Sequence, residues 1–319
     1  MSVLVSILIP AHHSALTIRA SLESCLAQTH THLEILVLNS ISGDHTAEVI
    51  QDINDPRIAL HETSENKGIA AARNQLLKLA KGEFIAWLDA DDVMMPERIE
   101  RQLAYFKAHP ETDIAGTWIR TDHVEVPEKR LPTHHQQIYH CLWFKNCIIQ
   151  PSVMSRNFYV QEGIFYDEEF ANTAEDYELW YRLRDRKHFA NIPEYLTLYH
   201  MTTGEELERK KKAGRFNENL SALWQKKWQA VSTEISEPQK LSFINFLYRN
   251  DCPDTDTLNG IRRVLSVLNE ENKDPFFQLI LSYHHLRLWR NMKLVDKMRH
   301  VYALRHLMKW SAFKKYHLI

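Results

Sequence analysis

Phe84-Ile85-Ala86-Trp87-Leu88-Asp89-Ala90-Asp91-Asp92 is an apolar run of strand length that ends in three carboxylates within four residues. Phe, Ile, Trp and Leu are what a buried strand requires, but its packing asks for no acids at its end. Carboxylates this close repel one another unless a cation lies among them, and hard divalent cations take oxygen ligands. The stretch therefore predicts a strand that delivers a metal ion and its bound phosphates to the mouth of a sheet.

Upstream, apolar runs alternate with helical patterns. Val3 to Ile9 reads as a buried strand stopped by Pro10, and Leu33–Leu38 and Ile58–His61 as two more. Helices are expected from Ser14 or Thr17 to Gln28, over Thr46–Ile53, and over Ile69–Lys81, the last closed by Gly82 as a left-handed cap. This β-α-β-α-β-α-β order predicts an α/β fold, a doubly wound sheet with helices on both faces and ligands at the carboxyl ends of its strands. Pro10-Ala11-His12-His13, Asn39-Ser40 and the three acids all fall at such ends.

Downstream, a helix runs from Pro96 to Ala108, and Ile114–Thr121 reads as a strand. His123–Gln137 is polar and reads as a mobile loop, Ile148–Met154 as a strand and Tyr195–His200 as a final strand. Glu175-Asp176-Tyr177-Glu178-Leu179-Trp180 opens a helix with its acids at the N-terminus, where the helix dipole favours them. The charged run Glu205–Arg215 marks a boundary. Beyond it Leu220–Val231, Pro238–Arg249, Thr257–Asn269, Phe276–Lys293 and Val295–Phe313 show helical periodicity only.

With 319 residues, 44% hydrophobic and 25% charged, the chain has the make-up of a globular protein. A net charge of −2 argues against nucleic acid as a partner. The four cysteines have no metal-like spacing, so Cys141 and Cys147 read as packed thiols and the protein as reduced and cytoplasmic. No apolar run is long enough to span a membrane, and Val3–Pro10 is too short for a signal segment. From His284 to Ile319 nine Lys or Arg face one acid, with Trp289, Tyr302 and Trp310 interleaved. Such a segment suits either the outer face of a helical bundle or peripheral contact with the anionic inner face of a membrane.

Several motifs together resemble family 2 glycosyltransferases of the GT-A fold. They are Val5-Ser6-Ile7-Leu8-Ile9-Pro10, Asn66-Lys67-Gly68, Ala72-Arg73-Asn74, Gly82 to Asp92, and Glu175 to Trp180, in the family's order. The resemblance implies a catalytic domain over 1–204, with a nucleotide-binding half at 1–115 and an acceptor-binding half at 116–204. It leaves 205–319 as a helical region. It implies inverting, Mn²⁺- or Mg²⁺-dependent sugar transfer from a nucleotide-diphosphate sugar to a glycan or lipid-linked acceptor, in surface polysaccharide synthesis. The alternative is a catalytically inactive nucleotide-binding scaffold.

Residue by residue, the resemblance makes Asp91 the metal ligand and puts Asp89 at the ribose or in the ion's outer sphere. It makes Asp176 the general base, with Glu175 second for that role. Pro10, His12, Asn39, Ser40 and Ala90 line the nucleotide, with Asn66 and Gly68 at a helix start and Arg73 at the base. Two departures stand out. UDP is the first expectation, but where the family pairs an Asp with uracil Ser40 accepts a hydrogen bond and brings no charge, so GDP and dTDP stay open. His200 falls where the family has Arg, two positions short of its possible metal-binding His. His12 and His13 stand at nucleotide-lining positions or are ordinary loop histidines. His134-His135 reads as solvated and Trp180 as core.

Overall fold

The computed structural model describes residues 3–122, 127–170, 174–200, 215–229, 231 and 235–249, with scattered positions between 261 and 284. Two compact units divide the chain. The first comprises residues up to Asn219 apart from Trp143–Lys145; the second gathers those three with residues from Leu220 onward.

In the first unit β1 (Val5–Ala11), β2 (Leu33–Ser40), β3 (Ile58–Thr63) and β4 (Phe84–Trp87) lie parallel in the order β3-β2-β1-β4. Every residue of β1 is buried, as expected of an inner strand covered on both faces. Helices α1 (Ile18–Leu26), α2 (Thr46–Gln51) and α3 (Ile69–Leu79) make the crossovers. The α/β architecture read from the sequence holds, with all four strand ends on one edge.

Pro10 does not end β1; it pairs in register with Leu38 of β2. Leu88 N donates to Leu8 O at 3.2 Å, so the even residues of β1 turn their amides towards β4. The β1–β4 ladder stops at Leu8↔Trp87, and the missing proline N–H falls past its end.

Gly82 is likewise not a left-handed cap. The helix ends earlier, at Ala80 in extended conformation. Gly82 instead packs against β1, where an added Cβ would meet Ser6 N at 2.6 Å and Leu4 O at 2.9 Å. Those neighbours are backbone and cannot step aside. We expect Gly82→Ala to cost about 1–3 kcal/mol by overpacking. Thermal unfolding should show a fall in Tm of at least a few degrees; an unchanged Tm would show that the strand tolerates the shift.

The second half of the sheet is mixed. β8 (Met154–Arg156) runs antiparallel to β4 and to β6 (Ile114–Thr121). β9 (Phe189–Tyr199) is parallel to β6, and β5 (Val93–Met94) antiparallel to β9. β7 (Glu128–Lys129) hangs on β6. Helices α4 (Arg98–Ala108), α5 (His135–Phe144), α6 (Tyr159–Glu162) and α7 (Glu175–Leu183) complete the unit.

Two sequence readings are corrected here. The supposed loop to Gln137 contains the start of α5, whose Ile138, Cys141 and Leu142 are buried at helical spacing behind a polar first turn. Of the two histidines read as solvated, His134 is exposed, whereas His135 is half-buried with its ring stacked on His188 at 4.4 Å. The supposed strand Ile148–Met154 is a short 3₁₀ turn at Gln150–Ser152, because Pro151 favours a helical first turn over a ladder. Cys141, Cys147 and Trp180 are buried as expected.

The second unit takes in α8 (Arg215–Trp228) from Leu220 onward and α9 (Glu237–Arg249), and it has an aromatic core. Trp143 meets Trp224 at 5.0 Å and Trp224 meets Phe243 at 5.7 Å. Lys227 is fully buried there, donating to Trp143 O at 3.1 Å and lying 4.5 Å from the Trp224 ring. Among described residues no helix is long and apolar enough to cross a membrane. The helix expected over Val295–Phe313 and the basic tail from residue 285 lie outside the described residues.

Candidate active site

The three acids divide by exposure as soon as β4 ends. Asp92 turns fully inward, and its Oδ1 accepts the His200 amide at 2.7 Å, tying the turn to the end of β9. Burial, reinforced by Asp89 and Asp91, pushes its pKa up to about 9. Asp92 is thus a buried anchor of the turn, while Asp91 is exposed and Asp89 half-buried. Beneath the turn Arg98 is fully buried and donates to Trp87 O, Val153 O and Pro151 O at 3.0, 3.2 and 2.6 Å, fastening β4 to the segment before β8.

The second acid pair arrives on α7. Ala174, just before that helix, has φ 63°, a left-handed conformation that an L-residue adopts at a cost of about 1–2 kcal/mol. Such strain gathers at functional sites. Asp176 is half-buried, and its carboxylate accepts from Asn146 Nδ2 at 2.8 Å and from the Tyr177 amide at 2.7 Å. Burial raises its pKa, against the opposing pull of Arg73.

Arg73 of α3 joins the two acidic groups. The family likeness puts this residue at the nucleobase; in the structure its guanidinium is 3% exposed and turned to carboxylates. Nη1 pairs with Glu175 Oε1 and Nη2 with Asp89 Oδ1 at 3.1 Å. The rings of Tyr166 and Trp87 flank it at 5.6 and 5.8 Å. Burial alone would lower the Arg73 pKa, but Glu175 and Asp89 reverse the direction and raise it. Burial lifts Glu175 to about 7, with Arg73 opposing and Asp176 adding to the rise. One planar fork therefore holds the end of β4 to the start of α7.

Asn74, next to Arg73, fixes the same wall. Its Nδ2 donates to Tyr166 O and Glu168 Oε1, both at 3.0 Å, and its Oδ1 accepts the Tyr166 amide at 2.8 Å.

Expected nucleotide-lining residues occupy the same edge of the sheet. Ala11 and Asn39 are in register at the ends of β1 and β2. His12 Nδ1 lies 2.6 Å from Ser40 O. A carbonyl only accepts, so Nδ1 carries the proton and Nε2 of the neutral ring is an acceptor. Asn39 Oδ1 is taken by Ser42 Oγ at 2.6 Å. Asn66 Oδ1 accepts the Gly68 amide at 2.9 Å, and Gly68 has φ 90°, which its lack of a side chain permits. Pro10 is buried within β1, and Ala90 between the acids.

His200 pairs through Nδ1 with Asp122. Among described residues no three His, Cys, Asp or Glu side chains form a metal cage. The exposed carboxylate of Asp91, with half-buried Asp89 beside it, still suits a hard cation whose remaining ligands are phosphate oxygens, because such ions are often held by one or two carboxylates.

Residues that the sequence did not single out complete the site: Asn146, Tyr166 and Tyr199. Tyr199 is half-buried at the end of β9, where burial, then Asp89, Asp92, Asp176 and Asp91, hold its hydroxyl protonated. Only its place beside His200 in a recognised motif could have drawn notice.

Comparison with known proteins places this geometry. Two Escherichia coli UDP-Glc:alpha-D-GlcNAc-diphosphoundecaprenol beta-1,3-glucosyltransferases are similar. WfaP is 41% identical over 33% of this chain and 41% of its own length; WfgD is 42% identical over 32% and 40%. The matched stretch thus spans about two-fifths of either relative. S. aureus TarS 1-349 in complex with UDP-GlcNAc superposes with TM-score 0.59 at 16% identity, covering 90% of this chain and 88% of that one. The mannosyltransferase PcManGT from Pyrobaculum calidifontis, in complex with GDP-Man and Mn²⁺, gives 0.57 at 16% over 96% and 86%. These likenesses show the GT-A fold. The Glycosyl transferase family 2 model matches residues 6–165, half of the chain, from the first strand past the acids of β4. The chain belongs to glycosyl transferase family 2.

Proposed function

We propose that the protein transfers a sugar, with inversion, from a nucleotide-diphosphate sugar to a hydroxyl of a glycan or lipid-linked acceptor in surface polysaccharide synthesis. The observation that carries this reading is the Arg73 fork, which joins Asp89 after β4 to Glu175 at the start of α7. Donor and base functions then share one rigid wall. Asp91, with Asp89 beside it, would hold Mn²⁺ or Mg²⁺. When bound, the ion supplies charge stabilisation to the departing diphosphate. Asp176 takes the acceptor's proton as its oxygen attacks the anomeric carbon from the face opposite the leaving group. A single displacement inverts that centre.

Base choice falls to His12 and Ser40. The Nε2 acceptor of His12 suits a ring N–H, which uracil, thymine and guanine carry and adenine lacks. UDP is the favoured donor nucleotide because the E. coli relatives use UDP-Glc and TarS is seen with UDP and UDP-GlcNAc. A lipid-linked acceptor would place the work at the cytoplasmic face of a membrane.

Thermal shift tests this reading. UDP with Mn²⁺ or Mg²⁺ should stabilise the protein by about 2.7 kcal/mol at a hundred times Kd, and UDP with a chelator should not. Equal shifts in both would remove the metal from the proposal. Running GDP, dTDP and ADP beside UDP reads the base preference, with ADP expected last.

A further inference from the structure

A cationic ladder leads away from the acids along β6, β7 and β9, and none of the roles above uses it. On β6 and β9 Trp118 and Tyr195 are paired in register, their rings 5.4 Å apart. Arg130 lies over Trp118 at 5.4 Å and donates through Nε to the Tyr195 hydroxyl at 2.8 Å. Arg120 lies over the other ring, Tyr195, at 5.6 Å. Lys129, in register with Ile119, sits 5.6 Å from the ring of Tyr199. Stacking fixes the direction of long cationic side chains that would otherwise wander.

Among the described residues these cations are only loosely paired. Glu128 approaches Arg120 at 4.0 Å and Arg130 at 3.9 Å, both at the limit of pairing. Lys129 is half-buried, and among described residues no carboxylate pairs with it. Burial lowers its pKa with no acid opposing. A cation held partly out of water without a counter-ion is costly unless a ligand brings the charge.

Position indicates which ligand. The hydroxyl of Tyr199 feels Asp89, Asp92, Asp176 and Asp91, while its ring carries Lys129. Tyr199 therefore stands between the reacting centre and the ladder. An acceptor whose hydroxyl is at Asp176, and whose anomeric carbon bears a diphosphate, presents that anion one sugar ring away from the reaction. The donor's diphosphate belongs at Asp91.

We propose that Lys129, with Arg120 and Arg130, forms an anion subsite for the diphosphate of the acceptor. This rests on the reading of the site as a sugar transferase, and extends it to the class of acceptor: a sugar joined through diphosphate to a lipid. Arg120 and Arg130 supply fixed donors and Lys129 the charge nearest the reaction.

Binding of two probes to the full chain tests it. Farnesyl diphosphate in a chelator stands for the acceptor's anion, and UDP with Mn²⁺ for the donor. Lys129→Gln is expected to weaken farnesyl diphosphate at least ten-fold and leave UDP within two-fold, and Lys129→Arg to restore most of the loss. Arg120→Gln and Arg130→Gln should each weaken it several-fold, and they carry the test if Lys129→Gln fails to fold. Unchanged farnesyl diphosphate binding in all three Gln variants overturns the subsite. Loss of UDP binding alone also overturns it, since the lysine would then serve the donor. Failure of wild-type protein to bind UDP with metal would count against the transferase reading, a result distinct from either.

Discussion

Asp176→Asn should retain nucleotide binding and lose transfer, with kcat down by about 10²- to 10⁴-fold, the usual contribution of a general base. The reasoning is one of availability. Glu175 is 7% exposed and one of its oxygens is committed to Arg73. Asp176 is half-buried, and Asn146 and the Tyr177 amide orient it. A carboxylate has about four lone-pair sites, so two such bonds leave it able to accept a proton. Asparagine keeps the shape and both contacts can be rearranged, but it has no basicity. Glu175→Gln is the contrast, expected to act mainly through loss of the ion pair.

The pH dependence of kcat/KM gives a second reading of the same residue. A base works deprotonated, and burial raises the Asp176 pKa. The acid limb of the profile should therefore lie above the ordinary aspartate range, with rate rising as pH increases through it and then levelling. That limb should vanish in Asp176→Asn. Residual activity near the wild-type rate in the variant would move the base elsewhere.

Much of this site is legible in the amino-acid sequence because its signals are local. Asp89, Asp91 and Asp92 stand out against an apolar strand, and Glu175-Asp176 against the helix they open. The unequal burial of the three acids is not legible there, since it depends on β9 delivering the His200 amide to Asp92 from 108 residues away. Arg73 shows the same limit. Its place on α3 follows from helical periodicity, but its direction depends on α7 arriving opposite, 102 residues later. Asn146 carries no motif, and its contact with Asp176 exists only through the fold. Gly82 draws notice for the wrong reason: a glycine after a helix suggests a cap, whereas the close approach of β1 lies 76 residues upstream. The helix α5 is hidden because a polar first turn precedes its apolar stripe.

The fork itself yields the other large expectation. Arg73→Met should destabilise the protein by about 3–5 kcal/mol, the cost of breaking a buried pair from one side. Glu175 would be left buried beside Asp176 with no cation, and Asp89 would lose its partner. For a unit of this size, each kcal/mol is worth about 2–4 °C in Tm, so the drop should be plain in a melting curve. Coupling separates the ion pair from simple packing. Glu175→Gln added to Arg73→Met removes the stranded charge and should recover part of the loss, a non-additivity of about 0.5–3 kcal/mol expected of contacting residues. Arg73→Lys keeps the charge but cannot span two carboxylates as a planar fork does. It should hold more stability than Met while its kcat falls further than its nucleotide affinity, because the bond it gives up is the one aligning α7. If Arg73→Met melts within a degree of wild type, the fork is an incidental contact and the acids are held in place by the strands alone.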